Sequence, residues 1–455
     1  MSPAPQTEPA AANANAPPSL GAFRSLRNRN YRLWALGGFV SNVGTWMQRT
    51  AQDWLVLTQL THHNASAVGV VMALQFGPQV LLLPLTGYAA DHWNRRKLLM
   101  ATQSSLGALA LGLSLLTISG VVQTWHVNVF AFMVGCVAAF DMPARQTFVS
   151  ELVGERDLAN AVALNSTSFN AARMVGPAVA GAVIAAVGTG WAFMINAASY
   201  VGVLAALSLL RSSELHVQAR ATRSQSGFID GFRYLGRRPD LVVILCMLGL
   251  IGTFGFNFAI FISTMAVRVF HASVGGFGVL TSCMAVGSVL GALLSARRAQ
   301  PRIALLMIGA GCFGLGCALA ALAPSYMWFG LALALIGVFA QTFTTSTNSL
   351  VQLSTEPGMR GRVLAILLAI SLGGTPLGAP LVGDVADVFG PRWALGMAAL
   401  AGFFAALIGI WYLVRYRNLR MRFEAGRLRL GFDDIQGPAT SLASEPDTAP
   451  ISPGA

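Results

Sequence analysis

Apolar residues run along this chain in long stretches, and the polar residues are gathered into short breaks between them. A half-buried helix shows an apolar stripe and a half-buried strand alternates, but most of these stretches are apolar all round. About 20 such residues make a helix long enough to cross a hydrocarbon core of ~30 Å. Twelve stretches qualify: Leu33–Leu57, Val68–Ala90, Leu98–Gly120, Val127–Phe140, Ala161–Val187, Trp191–Leu210, Leu241–Val267, Val274–Ala296, Ile303–Ala323, Met327–Thr345, Val363–Val385 and Trp393–Val414. The fourth is short unless it continues through Pro143. The predicted class is therefore an all-α polytopic membrane protein.

The largest polar break divides the spans six and six. The expected organisation is a disordered tail over 1–22, a six-helix bundle over 23–210 and a cytoplasmic linker over 211–240, followed by a second six-helix bundle over 241–414 and a basic, then disordered, tail over 415–455. Within the linker, Phe228–Leu235 is expected to form a short helix on the membrane surface.

Composition narrows the class. The 455 residues are 55% hydrophobic and 11% charged, against ~25% charged in soluble domains. That leaves too little polar surface for a soluble multi-domain enzyme and too much apolar surface for a disordered chain. A net charge of +12 raises the question of nucleic acid, which the positions of the basic residues answer. Of 30 basic residues, Arg49 and Arg173 lie inside spans, Arg268 and Arg392 lie on one side, and the other 26 fall on the opposite side. By the positive-inside rule both termini are cytoplasmic, and no nucleic-acid partner is expected. Residues 1–22 lack the pattern of a cleaved signal, so the first span is expected to direct insertion.

Catalytic and metal readings find no support. Cys136, Cys246, Cys283, Cys312 and Cys317 all fall within spans, without disulfide or zinc spacing. His62 and His63 have no accompanying metal motif, and no phosphate-binding loop occurs. No enzyme activity, metal or cofactor is expected, and transport would draw on an ion gradient or on the solute's own.

An internal repeat appears at an offset of 202 residues. Gly176, Gly181, Gly188 and Trp191 correspond to Gly378, Gly383, Gly390 and Trp393. Two six-span halves repeated in parallel around a central pathway are one architecture of secondary transporters. The loop after the second span, from Gly87 through Asp91 to Arg95, Arg96 and Lys97, resembles the G-x-x-x-D-x-x-G-R-[KR] signature of the major facilitator superfamily, with Asn94 at the second Gly. The resemblance covers roughly Phe23 to Val414 and implies the major facilitator fold, usually working as a monomer. It also implies that Asp91, Arg95 and Asp141 form a charge cluster closing the cytoplasmic side. Asp141 and Arg145 repeat the four-residue spacing of Asp91 and Arg95, and Gly87 and Arg96 complete the gate motif. The competing reading is that these residues only set topology.

Several polar positions interrupt the spans. Ser166, Asn170, Arg173 and Pro177 share one face of span five, and the segment Arg173 to Gly181 resembles the Gly-Pro motif of proton-coupled exporters. Gly176, Pro177 and Gly181 are expected to form a bend and a tight helix seam. Span one carries Asn42, Thr45, Arg49, Gln52 and Asp53 at helical spacing. A central charge costs ~2.5–3.5 kcal/mol on insertion scales, so Arg49 and Asp53 read as functional. Asp53 is the candidate proton carrier, or else one member of a fixed pair with Arg49. Arg173 is placed to attract an anionic group or to pair with Asp53. Asn257 in span seven, with Gln341 and Asn348 in span ten, could line the pathway or serve helix packing. Asp384 and Asp387 read as an exposed loop edge.

Within the superfamily, the runs Ala139 to Arg145, Glu151 to Val153 and Leu158 to Ser166, together with Trp46-Met47-Gln48, resemble the enterobactin exporter / transmembrane secretion effector family. This implies a bacterial inner-membrane exporter of a siderophore or drug-like molecule, coupled to protons and working by alternating access. A solute importer of the same fold and a non-transporting scaffold or sensor are the alternatives. The expected partners are a small-molecule substrate, the proton and the lipid bilayer.

Overall fold

A computed structural model describes residues 23–83, 85–86, 89, 93–216, 228–296, 303–356, 358–417, 419–424 and 427–432. Gly87 and Asp91 of the signature loop lie outside the described residues, as do both terminal tails.

The first half contains α1 (Arg29–Trp54), α2 (Ala65–Leu81), α3 (Arg95–Ile118), α4 (Thr124–Leu152), α5 (Glu155–Val187) and α6 (Thr189–Ser208). The linker helix α7 (Phe228–Gly236) follows. The second half contains α8 (Pro239–Leu250) and α9 (Phe258–Thr264), which together form one interrupted span. It continues with α10 (Val274–Ala296), α11 (Ile303–Ala321), α12 (Tyr326–Ser354), α13 (Arg360–Val388) and α14 (Pro391–Arg417). Among the described residues, ten helical segments are long and apolar enough to cross a membrane, with 239–269 counted as one. Six per half follow if α1, rich in polar residues, and α2, only 17 residues long, also cross. The fourth helix does run through Pro143, reaching Leu152.

One element departs from the expected tail. Leu419–Glu424 (β1) and Arg427–Phe432 (β2) pair antiparallel, Leu419 opposite Phe432. Apolar and charged residues alternate along most of both segments, which is a strand period rather than a helical one. In the linker, Arg238 binds Asp240 through two nitrogens at 2.8 and 3.0 Å and donates to the Ser354 carbonyl at 2.9 Å. Hydrogen bonding to Asp240 holds the guanidinium further into its charged range. Arg238 thereby fastens the linker to the second half.

Helices pack closely through glycine, as association in lipid demands. Gly287 and Gly291 of α10 lie directly against the Ala334 and Val338 carbonyls of α12, where an added Cβ has no room. The two halves meet along two seams. In the first, α5 against α10, a Cβ on Gly278 would sit 2.5 Å from the Pro177 carbonyl oxygen, and one on Gly181 would sit 3.1 Å from the Gly275 Cα. Helix α5 is continuous through Pro177. In the second, α2 against α13, a Cβ on Gly383 would lie 2.7 Å from the Ser66 Cα.

The sequence repeat recurs in this packing. Gly181 and Gly383 sit on the two seams, Gly176 abuts Trp46 of α1, and Gly378 abuts Thr253 in the equivalent span. Gly188 and Gly390 turn the chain at φ +91° and +101°, a region that glycine enters without steric cost.

Candidate functional site: a cavity between the halves

A cavity of about 190 Å³ lies between the two halves. Its first-half wall presents Trp46, Arg49 and Asp53 from α1, Gln75 and Phe76 from α2, and Arg173 from α5. The α1 residues follow one another by three and four positions, so a single helical face carries them. The opposite wall presents Phe256, Phe258 and Ile262 from the interrupted span, and Phe277, Thr281 and Met284 from α10. All the charge is on one wall.

Three sequence candidates therefore converge: Arg49, Asp53 and Arg173. Both guanidinium carbons lie over the Trp46 ring, Arg49 at 5.0 Å from its centroid and Arg173 at 5.5 Å. Arg49 also lies 5.6 Å from the Phe76 centroid. Such contacts hold a cation without neutralising it. The Arg49 Nε is buried and has no hydrogen-bond partner among the described residues. Asp53 forms no ion pair within 4 Å among the described residues, so neither the fixed pair with Arg49 nor one with Arg173 is formed. Beside it, Trp54 stacks on Phe277 of the other half at 5.8 Å and 23°.

The aromatic wall depends on a break in the helix. Beyond α8 the backbone widens into a π turn at Ile251–Gly255, leaves the helix at Phe256 and Asn257, and restarts as α9. The Asn257 amide donates to the freed Thr253 carbonyl at 2.7 Å. Asn257 is fully buried behind the wall, with its Oδ1 unpaired, while its neighbours Phe256 and Phe258 face the cavity.

The other pathway candidates are placed elsewhere. Gln341 donates to Thr345 at 3.2 Å and Asn348 to the Thr344 carbonyl at 3.1 Å, so each amide nitrogen has a partner within α12. Asn170 bonds the Ser166 carbonyl in α5, and Gln52 is buried away from the cavity. Helical spacing identifies a polar face but not what that face meets.

Asn42 joins a separate network. Asp141 accepts from Thr102 and Gln103, each at 2.6 Å, and from Arg145 Nε at 2.8 Å. Arg145 reaches Gln103 at 3.0 Å and Asn42 at 3.4 Å. Every member belongs to the first half, so the pair staples α1, α3 and α4 together and does not bridge the halves. Arg95 pairs with Glu151 at 2.7 Å, not with Asp141, and sequence reasoning assigned Glu151 no role. Arg96 donates to the Leu207 and Ser208 carbonyls at the end of α6.

Asp384 and Asp387 correct the expectation of a loop edge. Asp387 accepts from the backbone N–H groups of Ala65 (2.9 Å) and Ser66 (2.8 Å) and from the Ser66 hydroxyl (2.7 Å), all in the other half. It also pairs with Arg268 at 3.0 Å. Asp384 also lies 2.6 Å from the Ser66 hydroxyl, whose single proton the two carboxylates share. The i,i+3 spacing of the two carboxylates was visible, but the partner lay more than 300 residues away.

Residues 20–439 match the family model described as transmembrane secretion effector. The chain belongs to the transmembrane secretion effector family. The chain is 26% identical over 392 residues to the staphyloferrin A transporter of Staphylococcus aureus, covering 85% of its own length and 96% of the relative. It is 25% identical over 393 residues to the enterobactin exporter EntS of Shigella boydii, covering 86% and 92%. Its fold is also that of a POT family transporter solved with a thioalcohol-conjugated peptide (TM-score 0.69, 11% identity, 87% and 99% covered). A bacterial homologue of the lysosomal transporter Spinster, solved inward-facing and occupied, matches with TM-score 0.65 and 16% identity over 86% and 97%. The protein is a multi-pass membrane transporter of the major facilitator superfamily, not an enzyme.

Proposed function

We propose that this transporter exports an anionic, partly aromatic small molecule of siderophore or drug type across a bacterial inner membrane, in exchange for protons. Both termini are then cytoplasmic, and one chain suffices. The observation that carries the reading is the divided cavity: two guanidiniums and one carboxylate on one wall, aromatic rings on the other. The two arginines outnumber Asp53, and the unpaired Arg49 Nε asks for an acceptor. A substrate carboxylate or ionised phenol supplies one, and Phe256, Phe258 and Phe277 receive its apolar body.

Asp53 is the proton carrier in this reading. It lies four residues from Arg49, and it has no ion pair that a proton would have to displace. An anion bound at Arg49 competes with the Asp53 carboxylate for that cation, so the binding of substrate and of proton depend on one another. Loading of proton and of substrate are linked through one residue pair. The names of the two relatives make siderophores the first substrates to test.

The test is efflux from cells and counterflow in proteoliposomes under an imposed pH gradient. Gradient-dependent export of an anionic chelator by the intact protein is expected. Accumulation against a gradient in the reverse direction would establish import, and absence of substrate-dependent flux would establish a non-transporting protein.

A further inference from the structure

We propose that Asp387 is a latch that holds the two halves together at the face opposite the termini, and that its release is a step of the transport cycle. The proposal rests on the reading that the halves move against one another. Four partners converge on one carboxylate: the Ala65 and Ser66 N–H groups, the Ser66 hydroxyl and Arg268. Ala65 and Ser66 are the first two residues of α2, whose opening N–H groups have no partner inside the helix. Asn64 of the same half caps only the third, at Ala67. The cap of α2 is thus shared between the halves, and two of its donors are satisfied only while the halves touch. The positive N-terminal end of α2 and the Arg268 guanidinium both face the carboxylate.

The ion pairs near the opposite face differ. Arg24–Asp157, Arg95–Glu151 and Asp141–Arg145 lie within the first half, and Arg238–Asp240 lies in the linker against the second. They do not have to break when the halves part, and neither does Arg268–Asp387 within the second half; the Asp387 contacts to Ala65 and Ser66 do. The latch is also confined to one seam: 202 residues earlier, Ala182 and Ala185 of α5 stand where α13 has Asp384 and Asp387. A carboxylate is not needed to pack this seam geometry, since its duplicate packs without one.

The experiment measures distances between spin labels on the full-length protein in lipid nanodiscs, in a background with the five cysteines replaced. Labels at Val121 and Leu322 report the latched face, and labels at Trp93 and Leu353 report the opposite one; all four positions are exposed. Asp387→Ala removes every contact, Asp387→Asn keeps one acceptor without the charge, and Ser66→Ala removes only the hydroxyl. Loss of charge-assisted bonds predicts roughly a tenfold rise in the open population at the latched face for Asp387→Ala. Asp387→Asn and Ser66→Ala should follow with smaller rises. The opposite face should shift toward its closed distance. An unchanged distribution in Asp387→Ala, when the unsubstituted protein samples two distances, overturns the latch alone. Broadening at both faces alike overturns it by showing a general loss of packing. A single fixed distance in the unsubstituted protein, with and without a pH gradient, overturns the moving-halves reading as well.

Discussion

The two walls of the central cavity differ in kind although the halves descend from one repeat. The first-half wall is charged, with Arg49, Asp53 and Arg173, and the second-half wall is built from Phe256, Phe258, Phe277, Ile262 and Met284. The difference is local to the cavity, because the seams and turns of the halves still match, glycine for glycine. Duplication kept the scaffold and let the chemistry diverge. The charged wall can respond to a proton or an anion. The aromatic wall can offer only shape and apolar surface, which suits several substrates of similar size.

That contrast breaks first at Asp53. Asp53→Asn removes the only carboxylate lining the cavity among the described residues, and uphill efflux should fall by roughly 100-fold or more, with substrate binding retained, as expected for loss of a group acting in proton transfer. Flux assays with and without a pH gradient, beside a binding titration, check it. Arg49→Ala and Arg173→Ala come next, with affinity for an anionic substrate weakened by about ten- to a hundred-fold each, the scale of a lost charge-assisted hydrogen bond. The lysine variants should recover part of it, since they keep charge but lose the planar guanidinium.

The seams give a third effect that ignores the walls. Gly181→Leu or Gly383→Leu should cost about 1–3 kcal/mol of stability through overpacking, with transport slowed for every substrate alike. Thermal unfolding in detergent reads the first part and initial rates read the second. Phe258→Ala should weaken binding only about three- to ten-fold, in proportion to the apolar area lost, and should leave the pH dependence alone. The smallest effect is expected at Gln341 and Asn348, whose amide nitrogens bond within their own helix. Their alanine variants should stay within about two-fold, inside the range of substitutions away from key contacts. A larger change would return α12 to the substrate pathway.

The fold was legible because lipid leaves the chain few options: an apolar run of sufficient length must be a helix that satisfies its own backbone. Arg49, Asp53 and Arg173 were legible for the same reason, since charge at that depth needs a purpose. Uncharged polar residues carried no such signal. Asn257 sits behind a wall made by its neighbours, and only the backbone break at Ile251–Gly255 decides that. Glu151 became visible as the partner of Arg95 once α4 was seen to continue through Pro143. The Asp387 contacts had no sequence signal except the glycine repeat, which marked the seam without naming what crosses it.

An interface fastened by a carboxylate on one side and by a neutral hydrogen bond on the other behaves like a door. The α2–α13 side carries the bolt, while the α5–α10 side, where Gly181 meets Gly275 and Gly278 meets Pro177, is crossed by a neutral hydrogen bond from the Ser282 hydroxyl to the Met174 carbonyl at 2.9 Å and by no ion pair among the described residues, so it can swivel with less to undo. If the Asp387 contacts release first, opening begins at the bolted edge and widens away from the swivel, so the passage is widest beside α2 and α13 rather than along the centre line.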